Sequence, residues 1–418
     1  MQTRLSPEFA GTPEGLEAEA ILRKCVHCGF CTATCPTYQL LGDELDGPRG
    51  RIYLMKQVLE GEKPTRKTQM HLDRCLTCRN CESTCPSGVQ YGHLLDIGRK
   101  IVDAKVPRPT PEKALRWALK EGLPSPLFAP AMKMGQAVRG LLPAALQAKV
   151  PAKQEAGAWP TRSHARKVLM LAGCVQPSMM PNINAATARV LDAAGIQTVI
   201  APKAGCCGAV KFHLNDQDGG RAEMRANIDA WWPMIASGEV EALVMNASGC
   251  GVTVREYGHF LKDEPAYAAK AQRIGELTRD LSELLPAIVA ALRQSRPERV
   301  PGPPAGYAGA GRHLAFHPPC SLQHGQQLRG GVEQHLAAFG FKVQVARSES
   351  HLCCGSAGTY SVLNPDLSHQ LRDRKLGHLG ELEPDVIVSA NIGCITHLQS
   401  GTPTPVRHWV EVLDEHLR

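Results

Sequence analysis

No stretch of this sequence stays apolar for the roughly 18 to 20 residues that a bilayer-crossing helix needs. Its first residues, MQTRLSPEFAGTPEG, hold no signal-peptide core, no twin arginine and no lipidation signal, so the expectation is a cytoplasmic chain. Aromatic residues make up only 5% of it, and the basic residues are scattered rather than interleaved with them. With a net charge of +7 over 418 residues, no nucleic-acid partner is expected. No G-x-G-x-x-G follows a strand-like run, so the usual nicotinamide or flavin fingerprint is missing. Nor does any acid-base pair or activated nucleophile stand out, and no catalytic residue is assigned.

Cysteine, by contrast, is abundant. Sixteen cysteines in a chain without an export signal do not read as a disulfide framework, because the cytosol keeps thiols reduced. They are metal ligands, redox groups or core residues.

CVHCGFCTATCP supplies Cys25, Cys28, Cys31 and Cys35, and CLTCRNCESTCP supplies Cys75, Cys78, Cys81 and Cys85, each fifty residues further on. This is C-x2-C-x2-C-x3-C-P twice, the run of two-cluster bacterial ferredoxins. Three cysteines on a tight turn reach one cubane and the fourth points at the other. The expected ligand sets are therefore Cys25, Cys28, Cys31 and Cys85 for one [4Fe-4S] cluster and Cys75, Cys78, Cys81 and Cys35 for the other. Zinc, the alternative for four soft thiolates, usually takes paired C-x2-C units. Pro36 and Pro86 stop a preceding helix and aim each fourth cysteine.

Between the motifs, residues 48–62 read as a helix, with Pro48 near its start and Ile52, Met55 and Leu59 at helical spacing. A mostly α-helical two-cluster domain over residues 1–105 is expected. Arg49 and Arg51 read as helix-surface charges, with a cluster sulfur or a partner's acidic surface as the alternative. His27 reads equally as a donor to sulfur or as a loop histidine.

Residues 106–162 form a proline-punctuated helical linker. Its segment 131–149 has an apolar face with Lys133, Arg139 and Lys149. It reads as an interdomain helix packed on its own protein, with a membrane or partner surface as the alternative.

Beyond residue 163 short β-rich runs alternate with helical ones. KVLMLAGC, IQTVIAP and EALVMNASGC read as strands leading to Cys174, to Cys206 and Cys207, and to Cys250. The pattern recurs: RHLAFHPPC leads to Cys320, a helix over 321–340 follows, FKVQVA leads to Cys353 and Cys354, and DVIVSANIGC ends at Cys394. The four positions return 146, 147, 147 and 144 residues downstream. Two α/β modules with parallel sheets, 163–295 and 312–418, joined by a linker at 296–311, complete an α+β multidomain chain. Ligands of such sheets collect beyond the carboxyl ends of the strands, where Gly208 and Gly355 let the backbone turn closely around a bulky group. Whether these eight cysteines hold a further cluster or metal, pack as reduced thiols or cycle as dithiols stays open.

Two strand-end cysteines flanking a CCG, present twice, resemble the cysteine-rich CCG domain of the heterodisulfide reductase B-subunit family. Two ferredoxin motifs ahead of two such domains resemble the iron-sulfur subunit of bacterial glycolate oxidase (glycolate dehydrogenase). Related arrangements occur in anaerobic glycerol-3-phosphate dehydrogenase and lactate-utilisation proteins. This chain departs from the full CCG pattern, which ends in C-x2-C: Cys250 is followed by Gly-Val-Thr253 and Cys394 by Ile-Thr-His397. The fifth thiolate is missing, which leaves four cysteines per module, with His317, His351 or His397 as assisting ligands in the second. The resemblance implies two [4Fe-4S] clusters, a flavin-bearing partner that oxidises glycolate (or D-lactate), and a second flavoprotein-like subunit. It also implies a quinone or other acceptor, and peripheral attachment to the cytoplasmic face of the inner membrane. The alternatives are the equivalent subunit of an anaerobic glycerol-3-phosphate or lactate dehydrogenase complex, and a disulfide-reducing catalyst of the heterodisulfide reductase kind.

Overall fold

The structure is a computed structural model that describes every residue except 144–146, 148–149 and 304–310. The end of the apolar segment expected at 131–149 and most of the linker expected at 296–311 lie outside the described residues.

The first hundred residues are helical. Helix α1 (Pro13–Lys24) is capped by Thr12, whose side chain accepts from the amide of Gly15 at 3.0 Å. Helix α2 (Pro48–Leu59) starts on Pro48, where the missing N–H costs nothing, and α3 (Arg66–Asp73) carries a Thr65–Thr68 capping box. All three pack on α4 (Tyr91–Lys105). Leu22, Met55, Leu59, Leu72, Leu94 and Leu95 are fully buried where they meet, each contributing about 1.5–3 kcal/mol of burial. The α2–α4 contact is close enough that a Cβ on Gly98 would fall 2.4 Å from the sulfur of Met55.

Helices α5 (Thr110–Gly122) and α6 (Phe128–Ala137) follow, and neither buries a single residue. Leu127, Met134, Leu141 and Trp117 are exposed, and the polar tie from α6 to the body is Gln136 donating to the carbonyl of Ser178 at 3.3 Å. Even so, α6 packs against the Gln176–Met179 turn of the first module, and Lys120 of α5 pairs with Asp216 at 2.9 Å. Among the described residues, no helix is long and apolar enough to cross a membrane.

The first module is a four-stranded, all-parallel sheet ordered β2-β1-β3-β4, made of β1 (Arg166–Met170), β2 (Ile196–Val199), β3 (Ala242–Met245) and β4 (Thr278–Asp280). The second repeats it as β6-β5-β7-β8, from β5 (His313–Phe316), β6 (Lys342–Val345), β7 (Val386–Ser389) and β8 (Val406–His408). The sequence pattern misses β4 and β8, because three residues of mixed character show no period. Helix α7 (Asn182–Ala193) links β1 to β2. After β3 and β7 come α8 (Ser248–Arg255) and α10 (Ile392–Gln399), with α9 (Pro365–Gly380) ahead of β7 and α11 (Trp409–Leu417) closing the chain.

Three expectations change here. The strands end at Met245 and Ser389, so Cys250 and Cys394 ride on the first turns of α8 and α10 rather than on strand ends. The helix read over 321–340 is a π-turn at Ser321–Gly325 and a separate helix at Gly331–Ala337, split before Gly330, which sits at φ 76°. The CCG glycines do more than make room for a ligand: a Cβ on Gly355 would meet the carbonyl oxygen of Ser368 in α9 at 2.4 Å, so Gly355 seats the loop on its helix.

The modules share one core. Helix α7 packs along α11, and residues from the sheets and helices of both modules, Val168, Leu191, Leu314, Val388 and Trp409 among them, form a single buried cluster. Across the seam Arg189 pairs with Asp414 at 2.8 Å, His408 bonds the carbonyl of Asn246 at 2.9 Å, and Ser248 donates its amide to Ala390. The helical domain sits on both modules. Arg79 forks onto Glu256 of the first at 2.5 and 2.7 Å, and Ser83 meets His324 of the second at 2.8 Å. Burial opposes charge on Glu256, but His93 and Arg79 outweigh it and hold its carboxyl down at about 2.

Candidate metal centres

The two ferredoxin motifs fold alike. In the first turn His27 and Gly29 take positive φ, 56° and 86°; in the second, fifty residues on, Thr77 and Arg79 do, at 53° and 57°. Left-handed residues at alternate positions curl each turn so that its three cysteines face one centre. Three of those four positions lack glycine, and each stores about 1–2 kcal/mol of backbone strain. The turns are held by packing and by bonds such as the amide of Thr77 to the Cys75 sulfur at 3.4 Å.

Each turn lines a cleft. One is bounded by Cys25, Cys28, Cys31 and Cys85 together with His27, Arg49 and Pro86. The other is bounded by Cys35, Cys75, Cys78 and Arg51. The fourth cysteine of each motif thus reaches the other motif's cleft. Pro48, Cys81 and Tyr91 line both, so the clefts share a wall. The first opens outward: Cys28 is exposed, flanked by exposed Val26 and Phe30. The second is interior in its lining: Cys35, Cys81, Arg51, Leu76 and Tyr91 are buried, and none of its cysteines is exposed.

Arg51 is not a surface charge. It is 1% exposed, with Nε donating to the carbonyl of His71 at 2.7 Å, one Nη to Thr37 at 3.1 Å and the other to Asp46 at 3.4 Å. The guanidinium also approaches the Cys35 sulfur at 4.0 Å. Asp46 is shared with Arg74 at 2.9 Å and His71 at 3.1 Å. Arg49 stays at the surface on Glu44 at 2.6 Å. His27 leaves its Nε2 buried and unpartnered among the described residues.

The donor chemistry fits iron-sulfur clusters. Burial, with neighbouring thiols, pushes Cys78 and Cys81 well above the ordinary thiol range and Cys31 up to about 11. Sulfurs this crowded ionise together only around a strong cation, and thiolates in fours suit iron-sulfur cores.

In the cysteine-rich modules the sulfurs sit at the switch point of each sheet, where the crossovers after β1 and β3, or β5 and β7, diverge. Cys174 and Cys320 follow β1 and β5, and the pairs Cys206–Cys207 and Cys353–Cys354 follow β2 and β6. The first module strings its thiols in contact from Cys174 through Cys206 and Cys207 to Cys250. Cys174 and Cys207 donate to Cys206 and hold it far below the usual thiol range. Burial and that charge push Glu223 up to about 8. The second module strings Cys320, Cys353, Cys354 and Cys394, with 3.8 Å between the first two sulfurs.

Here one histidine joins. A ring nitrogen of His317 and the sulfurs of Cys354 and Cys394 all lie within 4.8 Å of one another. His317 is 1% exposed, and neither ring nitrogen has a hydrogen-bond partner among the described residues. An unmet buried donor or acceptor costs about 1–3 kcal/mol. His397 instead bonds Ser368 at 3.1 Å, and His351 offers its carbonyl to His324. Cys320 and Cys353 also share a small apolar cluster with Leu76 and Cys78, so the second module's sulfurs abut the interior cleft. Tyr91 and this last adjacency carry no signal in the sequence, because they arise from packing between segments far apart in the chain.

Comparison with known proteins agrees with this architecture. Residues 21–89 match the 4Fe-4S dicluster domain, and residues 168–255 and 314–399 each match the cysteine-rich domain. The glycolate oxidase iron-sulfur subunit of Escherichia coli (strain K12) is 55% identical, covering 100% of this chain and 99% of its own length. The probable glycolate oxidase iron-sulfur subunit of Bacillus subtilis (strain 168) is 30% identical, covering 92% of this chain and 89% of its own. Lactate utilization protein A of Bacillus licheniformis is 25% identical over 59% of this chain.

Proposed function

Since this chain belongs to the family of glycolate oxidase iron-sulfur subunits, we propose that it receives electrons from a flavin-bearing subunit that oxidises glycolate to glyoxylate and delivers them to a membrane quinone. It is the electron-carrying subunit of an oxidoreductase complex. Cys25, Cys28, Cys31 and Cys85 would hold one [4Fe-4S] cluster and Cys75, Cys78, Cys81 and Cys35 the other. Such clusters supply one-electron redox chemistry, which divides the electron pair of a two-electron donor.

The observation that carries this reading is the pair of four-cysteine clefts with a common wall, one open and one interior. An exposed ligand rimmed by Val26 and Phe30 suits the docking face of a flavin subunit, while the second cleft, with no exposed cysteine, lies deeper among buried residues. Glycolate added anaerobically to the assembled complex should bleach the visible iron-sulfur absorption of this chain. The isolated chain should not respond. Bleaching of the isolated chain, or none in the complex, would overturn the reading.

Attachment to the membrane surface is proposed from α5 and α6. Leu127, Met134 and Leu141 are exposed beside Lys133 and Arg139, a mix of apolar and basic groups that suits an anionic lipid interface. Flotation with vesicles containing phosphatidylglycerol should carry the chain, and Met134→Glu combined with Leu127→Glu should cut the floating fraction several-fold. Equal flotation of the variant would dismiss this surface.

A further inference from the structure

Beyond that electron-carrying role, we propose that the second cysteine-rich module, unlike the first, holds a thiolate-and-imidazole transition-metal centre on His317, Cys354 and Cys394, with Cys320 and Cys353 alongside.

Three observations carry it. The first is the unmet imidazole. The backbone of His317 is pinned against β7, its amide donating to Val388 at 2.8 Å and its carbonyl accepting from Ser389 at 2.9 Å. The ring is buried with both nitrogens unpartnered among the described residues, and one of them lies within 4.8 Å of the Cys354 and Cys394 sulfurs. Protein groups do not satisfy it there, whereas a metal ion would.

The second observation is the contrast between copies. The repeat that carries Cys174 to Cys320 carries Leu171 to His317. Leu171 is a buried apolar residue, and among the described residues no three ligand atoms of the first module come within the mutual distance found around His317. One module replaces a core leucine by an imidazole at the ligand-binding end of its sheet; the other keeps the leucine.

The third is the company around the sulfurs. The amide of Gly355 approaches the Cys353 sulfur at 3.5 Å, and the Asn391 side chain approaches that of Cys394 at 3.7 Å. Such donors stabilise thiolates around a metal. A mixed nitrogen and sulfur set suits zinc or iron and disfavours magnesium or calcium. The shared apolar cluster with Cys78 places the centre against the interior cleft.

The test is metal and acid-labile sulfide per chain in the anaerobically purified complex, for the parent and three variants. The parent should carry iron or zinc beyond the roughly eight irons of two cubanes. Extra zinc without extra sulfide would identify a mononuclear ion, and extra iron would identify an iron centre; either supports the proposal. His317→Leu, which installs the residue the first module already tolerates, and Cys354→Ser should each reduce that excess at least fivefold while the eight irons stay. Cys207→Ser, the matching change in the first module, should leave it intact. No excess metal in the parent, an excess that survives His317→Leu, or equal loss in Cys207→Ser would overturn the assignment. Retention of the eight irons shows that a variant has folded, and none of these readings depends on glycolate turnover.

Discussion

Replacing Cys35 and Cys75 together should cost no more iron than replacing either one alone: about four of roughly eight atoms per chain. Replacing Cys35 and Cys25 together should instead remove nearly all of it. The two cysteines of the first pair belong to different motifs, forty residues apart (75 − 35), yet line the same interior cleft; those of the second pair belong to one motif but line different clefts. Local ligation, in which each motif closes its own site, predicts the reverse outcome for both doubles, so iron and sulfide analysis discriminates sharply. Electron delivery should fall by more than a hundredfold in every variant, because each loses one of the two proposed carriers. The reduction of flavin by glycolate in the assembled complex should continue. A Cys35–Cys25 double variant that keeps four irons would reject the crossed assignment.

Arg51→Leu should produce the next largest effect, and on two separable quantities. The side chain is buried, and its removal leaves the carboxylate of Asp46 with only Arg74 and His71, and Thr37 and the carbonyl of His71 without their donor. Breaking a buried pair from one side costs about 3 kcal/mol or more, which should appear as earlier thermal unfolding of the complex. The guanidinium is also a fixed positive charge 4.0 Å from the Cys35 sulfur. A nearby cation favours the more negative, reduced state of an iron-sulfur centre, so its loss should lower the reduction potential of the interior site. Arg51→Lys keeps the charge but not the fork of donors, and should recover much of the potential but little of the stability. An unchanged potential in Arg51→Leu would show that the charge is fully offset by Asp46.

The legible and illegible parts of this molecule divide on physical lines. The crossed cysteine pattern stands out in the sequence because eight identical residues recur at a fixed interval with a chemistry of their own. Strands β1, β3, β5 and β7 are legible as apolar runs because both faces of a parallel sheet are covered. Strands β4 and β8 are not, since three residues cannot show a period. The burial of Arg51 is invisible because its partners, Asp46, His71 and Cys35, come from separate segments and an isolated arginine on an amphipathic helix ordinarily faces water. His317 is half legible. The repeat aligns it with Leu171, but only the packed sheet shows that His317, rather than His351 or His397, groups with Cys354 and Cys394.

The core that runs unbroken through both modules has a consequence for how this chain can change over evolutionary time. Helices α7 and α11 cover each other's apolar faces, and the Arg189–Asp414 and His408–Asn246 bonds cross the same seam. The two modules should therefore melt in one cooperative transition, and neither has a complete interior without its twin. A copy stripped of its ligands would still serve as half of its sister's foundation, so the two repeats form a single folding unit whose metal chemistry can drift in one half while its architecture cannot.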